Sequence, residues 1–183
     1  MRIYIIGPTG SGKTWLAQKL SQHYHIKHIN LDYVLYTHIT DKSRTELSED
    51  EWMESLRTEM QQENWIIEGI NPINEVFNAA DKVIYLRVSL LYSLLNQWKR
   101  YLTSPAQRKE HGFINNIKLS QYVIKQHREE YLAEGIDNPK YFRISKMDKI
   151  IERYKSKVMT LTSKKEITEL GDKELPLRRI TFL

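Results

Sequence analysis

The sequence predicts an open α/β fold, a parallel sheet covered by helices on both faces, and three observations lead to it. Short apolar runs suited to buried strands alternate with longer amphipathic stretches suited to helices. The first apolar run, Ile3-Tyr4-Ile5-Ile6, opens directly onto the glycine-bearing stretch Gly7-Pro8-Thr9-Gly10-Ser11-Gly12-Lys13-Thr14, and a helical stretch follows. Because strands and helices take turns, each crossover returns the chain to the same edge of the sheet, and neighbouring strands come out parallel. One domain is expected over residues 1–183, with a lid-like helical insertion at about 103–145.

The stretch from Gly7 to Thr14 matches G-x-x-x-x-G-K-[ST] between a strand and a helix. Where no Cβ intervenes, successive main-chain N–H groups turn into one concavity, and that concavity cradles phosphate oxygens. The helix that follows adds unpaired amides and the positive end of its dipole. Gly7, Pro8, Thr9, Gly10, Ser11, Gly12, Lys13 and Thr14 are therefore the nucleotide-binding candidates. Lys13 is expected to reach the β- and γ-phosphates, and the Thr14 hydroxyl to take one position on Mg²⁺.

The remaining elements follow in order. Leu16, Leu20 and Tyr24 recur at helical spacing and give the first helix a face for the sheet. His28-Ile29-Asn30-Leu31 reads as a second strand ending at Asp32. Ligands of open parallel sheets sit beyond the carboxyl ends of the strands, so Asp32 is a candidate catalytic and acceptor-binding carboxylate; the competing readings are a solvated turn aspartate and a helix cap for Tyr33 to Tyr36. Thr37 to Leu47 reads as a polar loop, and Ser48-Glu49-Asp50-Glu51 as a capping box ahead of the stripe Trp52, Met53, Leu56 and Met60. Trp65-Ile66-Ile67-Glu68 is the third strand. Its closing carboxylate, Glu68, is placed to hold Mg²⁺ through a water, or else to form a structural ion pair with Lys13.

Asn71-Pro72 suits the start of a short helix, with asparagine as the cap and proline at the first helical position. Val83 to Val88 is the fourth strand, and Leu90 to Leu102 a helix bearing Asn96, Lys99 and Arg100 before Thr103-Ser104-Pro105 stops it. Residues 106–144 are rich in charge, with a helix expected from about Asn115 to Glu134 that carries Lys118 and Lys125 on one face and Arg128 close by. A lid there would bring cations to a triphosphate and exclude water, although a solvated helix face is the favoured reading for Lys118 and Lys125. Ser145-Lys146-Met147-Asp148 reads as another capping box, leading into Lys149 to Lys155. Lys157 to Thr162 is the fifth strand, and Ser163-Lys164-Lys165-Glu166 caps a last helix that Gly171 ends, with the tail 172–183 left without a period.

Composition narrows the function classes. Without cysteine there is no disulfide framework, no thiolate metal site and no cysteine nucleophile. A formal charge of +5 suits an anionic ligand but falls short of a concentrated nucleic-acid stripe. Met1-Arg2 leads straight into the first strand and no apolar run reaches about 18 residues, so the expectation is a cytoplasmic protein without a membrane partner.

In its order of motifs, GPTGSGKT, HINLDYVLY, WIIEGIN, ADKVIYLRVSLLYSLLNQWKR and VMTLTSKKEI, the chain resembles the adenylate-kinase-like branch of P-loop proteins. Within that branch it is similar to proteins named DNA topology modulation proteins. The resemblance implies a three-layer α/β/α P-loop NTPase fold with strand order 2-3-1-4-5, and ATP with Mg²⁺ as ligands. It also implies that Arg100 closes on the phosphates as a catalytic cation beside Lys13. The chain departs from the pattern at Asn96, where another arginine is common, at Arg87-Val88-Ser89 and at Asn71-Pro72; Arg108 is a candidate replacement for the missing cation.

Two functions follow. The first is a kinase moving the γ-phosphoryl of Mg·ATP to a small-molecule acceptor held near Asp32, Asn71 and Arg87. The second, from the resemblance and the positive charge, is a nucleotide-dependent regulatory protein associated with DNA topology. The blander readings are an ATP-binding protein that has lost transfer chemistry and an ATPase without a phosphoryl acceptor.

Overall fold

In the computed structural model, residues 1–31, 36–40, 43–46, 48–128 and 143–172 are described. The chain runs through β1 (Arg2–Ile6), α1 (Lys13–Tyr24), β2 (His28–Asn30), β3 (Tyr36–Thr40), β4 (Ser43–Glu46), α2 (Glu49–Met60), β5 (Trp65–Gly69) and α3 (Asn74–Ala79). It continues through β6 (Lys82–Leu86), α4 (Leu90–Thr103), α5 (Pro105–His127), α6 (Ile144–Arg153), a 3₁₀ turn (Lys155–Lys157), β7 (Val158–Leu161) and α7 (Lys164–Asp172).

Five strands make one sheet in the order β2-β5-β1-β6-β7. Every pairing in it is parallel. Counting only these strands along the chain, this is the expected 2-3-1-4-5. The central strand β1 is buried on both faces, with Ile3, Tyr4, Ile5 and Ile6 all fully covered. Alternation sorts its side chains: Tyr4 and Ile6 join Leu56, Trp65, Phe77, Tyr85 and Met147 on one face. Ile3 and Ile5 join Leu16, Leu20, Ile84, Leu161 and Ile167 on the other. Each such residue contributes about 1.5–3 kcal/mol by leaving water, so the double-sided core holds the sheet between two helical layers.

Local signals set most boundaries. Ser48 caps α2 and the Glu51 carboxylate returns to the Ser48 amide, a complete capping box. Glu166 likewise accepts from the Thr162 and Ser163 amides ahead of α7. Pro105, expected only to stop α4, instead occupies the first position of α5, where its missing N–H costs nothing. Gly112, at φ 61 and ψ 169, breaks α5 into two pieces.

Three expectations are corrected. Within the stretch read as a polar loop, β3 and β4 pair antiparallel, Ile39 opposite Arg44 and Thr40 opposite Ser43. The β-branched Thr37, Ile39, Thr40 and Thr45 favour extended backbone over a loop. The short helix α3 starts at Asn74 with Ile73 at its cap, two residues later than Asn71-Pro72 suggested. Asn71 is used otherwise: its carbonyl accepts the Tyr4 hydroxyl at 2.6 Å. Before α6, Arg143 sits at the cap position and no side chain caps the helix. Asp148, expected in a capping box, accepts from the Tyr85 hydroxyl at 3.0 Å and from Arg87 Nε at 3.1 Å, and bonds to a guanidinium are stronger than a cap.

Candidate nucleotide and phosphoryl-transfer site

Beyond the carboxyl end of β1 the chain turns through the glycine loop into α1. Gly10 (φ 77) and Gly12 (φ 98) hold left-handed backbone that a side chain strains. A Cβ on Gly10 would also collide with the Ser93 carbonyl of α4. The Ser11 amide donates to the Pro8 carbonyl at 3.2 Å. Lys13 Nζ donates to the same carbonyl at 2.9 Å. The N-terminus of α1 carries no side-chain cap and no acidic residue in its first turn, so its amides and dipole are left for an anion.

Glu68 is the penultimate residue of β5, the neighbour of β1, with Ile5 and Glu68 in register. Its carboxylate is only 2 % exposed and accepts from the Thr14 hydroxyl at 2.7 Å and from Asn30 Nδ2 at 2.6 Å. The His28 ring lies 3.7 Å away. Burial pushes the Glu68 carboxyl up, but the His28 ring, the Lys13 ammonium and the Thr14 hydroxyl outweigh it and hold the group below its ordinary value. Glu68 thus stays an anion in a dry place. With the Thr14 hydroxyl it offers the hard oxygen set that suits Mg²⁺.

A cavity of about 660 Å³ opens over these groups. Thr9, Gly10, Gly12, Lys13, Thr14 and Glu68 line one side, and Asn96, Lys99, Arg100 and Thr103 of α4 and Lys164 and Thr168 of α7 line others. Asn96, where an arginine was expected by resemblance, donates to the Gly10 carbonyl at 2.9 Å and secures the loop. Of the candidates, Lys13, Thr14, Glu68 and Arg100 are brought together. Asp32 lies outside the described residues. Asn71 and Arg87 are exposed and not among the residues lining the cavity, and Arg87 is paired with Asp148. Arg108, Lys118, Lys125 and Arg128 are also exposed side chains away from its lining.

Sequence reading missed Asn30, whose position two residues before Asp32 at the end of β2 was a usable signal. It also missed Gln126, buried at the end of α5, whose Oε1 accepts the Thr9 amide at 3.0 Å. A lone glutamine in a charged helix gives no such signal.

Fold and site together define a P-loop nucleotide-binding protein with a kinase-like architecture. A family model described as an AAA domain matches residues 3–104, and the chain belongs to that family. A search of curated proteins gave no significant match. Among solved structures, a shikimate kinase from Bacteroides thetaiotaomicron superposes with a TM-score of 0.51 at 15% identity, covering 94% of each chain. A gluconokinase from Sinorhizobium meliloti 1021 superposes with a TM-score of 0.50 at 10% identity, covering 93% of this chain and 87% of that one. At such identities the likeness is one of fold. It supports the three-layer P-loop fold and lends nothing to the resemblance to DNA topology modulation proteins. No helix among the described residues is long and apolar enough to cross a membrane.

Proposed function

We propose that the protein is an ATP-dependent phosphotransferase acting on a small-molecule acceptor. The observation that carries this reading is the meeting of Thr14 and Glu68 at 2.7 Å beside Lys13, in a cavity that Arg100 also lines. The two solved structures of this fold named above as kinases favour the same class.

When bound, Mg²⁺ neutralises charge on the transferring group. The chain's own residues do the rest. The amides from Gly10 to Thr14 hold the phosphate chain, Lys13 covers the β- and γ-phosphates, and Thr14 with Glu68 would hold the metal. Arg100 meets the negative charge that spreads over the group in flight. Asp32, two residues beyond β2 in the sequence, would orient the acceptor hydroxyl and take its proton as a bond forms from that oxygen to the γ-phosphorus and the bond to the leaving ADP breaks. Asn71 and Arg87 are the remaining acceptor-side candidates, and the segment 103–145 is the candidate lid.

The test is acceptor-dependent ADP release across a panel of nucleosides, nucleotides and small hydroxylated metabolites with Mg·ATP and Mg·GTP. At least one acceptor should support turnover, and Lys13→Ala should lower it by about 10²–10³-fold or more. Failure of calorimetry to detect either triphosphate with Mg²⁺, or full turnover by Lys13→Ala, would overturn the assignment.

A further inference from the structure

Two consecutive residues of the phosphate loop are each gripped by a side-chain amide from a different helix. Asn96 of α4 donates to the Gly10 carbonyl at 2.9 Å, and Gln126 of α5 accepts the Thr9 N–H at 3.0 Å. Gln126 is 2 % exposed and 117 residues from its partner. Because Thr9 offers a donor, the oxygen end of the Gln126 amide must face the loop. The nitrogen end, Nε2, is buried with no hydrogen-bond partner among the described residues. Pure stability would not favour an amide left half satisfied in a dry place.

The end of α5 is also fixed independently. The His127 ring nitrogens lie 2.9 Å from the Val123 carbonyl and 3.3 Å from the Val88 carbonyl just past β6. About two to three turns before it, Gln97 of α4 donates to both the Asn116 carbonyl (2.9 Å) and Asn116 Oδ1 (2.7 Å), and the Ser120 hydroxyl donates to Gln97 Oε1 at 2.9 Å. Gln126 therefore reaches the loop from a clamped base.

A trans peptide is planar, and its C=O and N–H point in opposite directions. The Thr9 N–H belongs to the same peptide unit as the Pro8 carbonyl. Holding the Thr9 N–H toward α5 turns the Pro8 carbonyl the other way, where it accepts from Lys13 Nζ at 2.9 Å and from the Ser11 amide at 3.2 Å. We infer that Gln126 is a positioning residue for Lys13: by holding one peptide plane of the phosphate loop, it aims the carbonyl that steers the lysine ammonium. This rests on the reading of Gly7–Thr14 as a triphosphate site and adds to it a connection from the lid-side helix to the phosphate-binding cation.

The experiment compares Gln126→Leu, which keeps the bulk and removes the acceptor, with Gln126→Glu, which keeps an acceptor oxygen. Calorimetry with Mg²⁺ and either ATP or AMP reads the effect. Gln126→Leu should weaken ATP binding by about 5- to 50-fold, from one lost hydrogen bond and a stranded donor, and leave AMP binding within about twofold. Gln126→Glu should recover part of the loss, because the acceptor oxygen returns together with a buried negative charge near the triphosphate. A thermal-denaturation cycle with Lys13→Met, run without nucleotide, supplies the second readout. The Gln126→Leu shift in Tm should shrink by at least half when Lys13 is already gone, because both act through the Pro8–Thr9 peptide. Equal loss for ATP and AMP, or additive Tm shifts, would overturn the inference while leaving the triphosphate site intact. Wild-type protein that binds no triphosphate would instead remove the reading beneath it.

Discussion

The two sides of the cavity are made of different material. On one side the groups are placed by the backbone path: the turn from β1 into α1 sets the glycine loop and the uncapped start of α1, and strand register brings the Glu68 carboxylate of β5 to the Thr14 hydroxyl. On the other, α4 and α7 supply long side chains, Lys99, Arg100 and Lys164, on helix surfaces. A backbone site is determined once the fold forms, because its atoms have few ways to move. A side-chain site depends on which residues happen to face inward, and one substitution rewrites it. Substitutions that hit the two sides separately should therefore differ in kind: stability and affinity fail together on the first, and rate alone fails on the second.

The largest effect is expected at Gly10. Gly10→Ala drives a methyl into the Ser93 carbonyl of α4 and forces a side chain onto left-handed backbone, so about 4 kcal/mol or more of stability should be lost together with triphosphate binding. Urea denaturation and calorimetry on one preparation check both. A stable variant with full affinity would mean the loop and α4 are not in contact. Next comes Arg100→Ala. Arg100 is exposed and lines the cavity, so stability should move by no more than about 0.5 kcal/mol while transfer to the acceptor slows by about 10²–10³-fold. Steady-state kinetics should place the loss in kcat. A loss confined to KM would assign Arg100 to binding alone.

Gly12→Ala separates the two faults combined at Gly10. A Cβ there meets nothing nearer than the Tyr92 hydroxyl at 3.9 Å, so only the backbone strain at φ 98 remains. A loss of about 1–2 kcal/mol is expected. A loss as large as that of Gly10→Ala would show that backbone angle, and not the contact with α4, governs the loop.

The same contrast explains what the sequence reveals. The sheet was legible because buried parallel strands are written as unbroken apolar runs, as in Ile3 to Ile6 and Trp65 to Ile67, and the glycine loop because its conformation restricts which residues fit. Glu68 was picked out as the first polar residue after such a run, and the structure sets it against the Thr14 hydroxyl. Asn71 and Arg87 were picked out by the same kind of position but are not among the residues lining the cavity. Both stand just beyond strands, as ligand-binding residues do, yet the Asn71 carbonyl serves Tyr4 and Arg87 is paired with Asp148 from an element 61 residues away. The antiparallel β3–β4 hairpin was hidden by its polarity, and Gln126 by a long-range contact that leaves no periodic trace. Pairings across the chain are decided by tertiary packing, which a single sequence does not spell out.

The smallest effect probes the loop after β5 alone. The Tyr4 hydroxyl, fully buried, ties β1 to the loop after β5 through the Asn71 carbonyl at 2.6 Å. Tyr4→Phe should cost about 1 kcal/mol, one hydrogen bond, with triphosphate affinity unchanged because the glycine loop is untouched. Its pH dependence has a definite sign. Burial raises the Tyr4 ionisation above its ordinary 10.0, so the folded protein keeps the hydroxyl neutral where the unfolded chain would ionise it. The stability this group contributes is present in full below pH 10 and is lost as pH rises above it. At about pH 11 the unfolded state gains about 1.4 kcal/mol from one ionising tyrosine, so the advantage of Tyr4 over phenylalanine should close or invert. Tyr85, also raised by burial and by Asp148, is common to both proteins and cancels from the difference. Urea midpoints for the pair at about pH 8 and about pH 11 read this directly. A constant difference between the two pH values would mean that the Tyr4 hydroxyl is not held neutral, and that the loop carrying Asn71 is tied to β1 less firmly than the glycine loop is tied to α4.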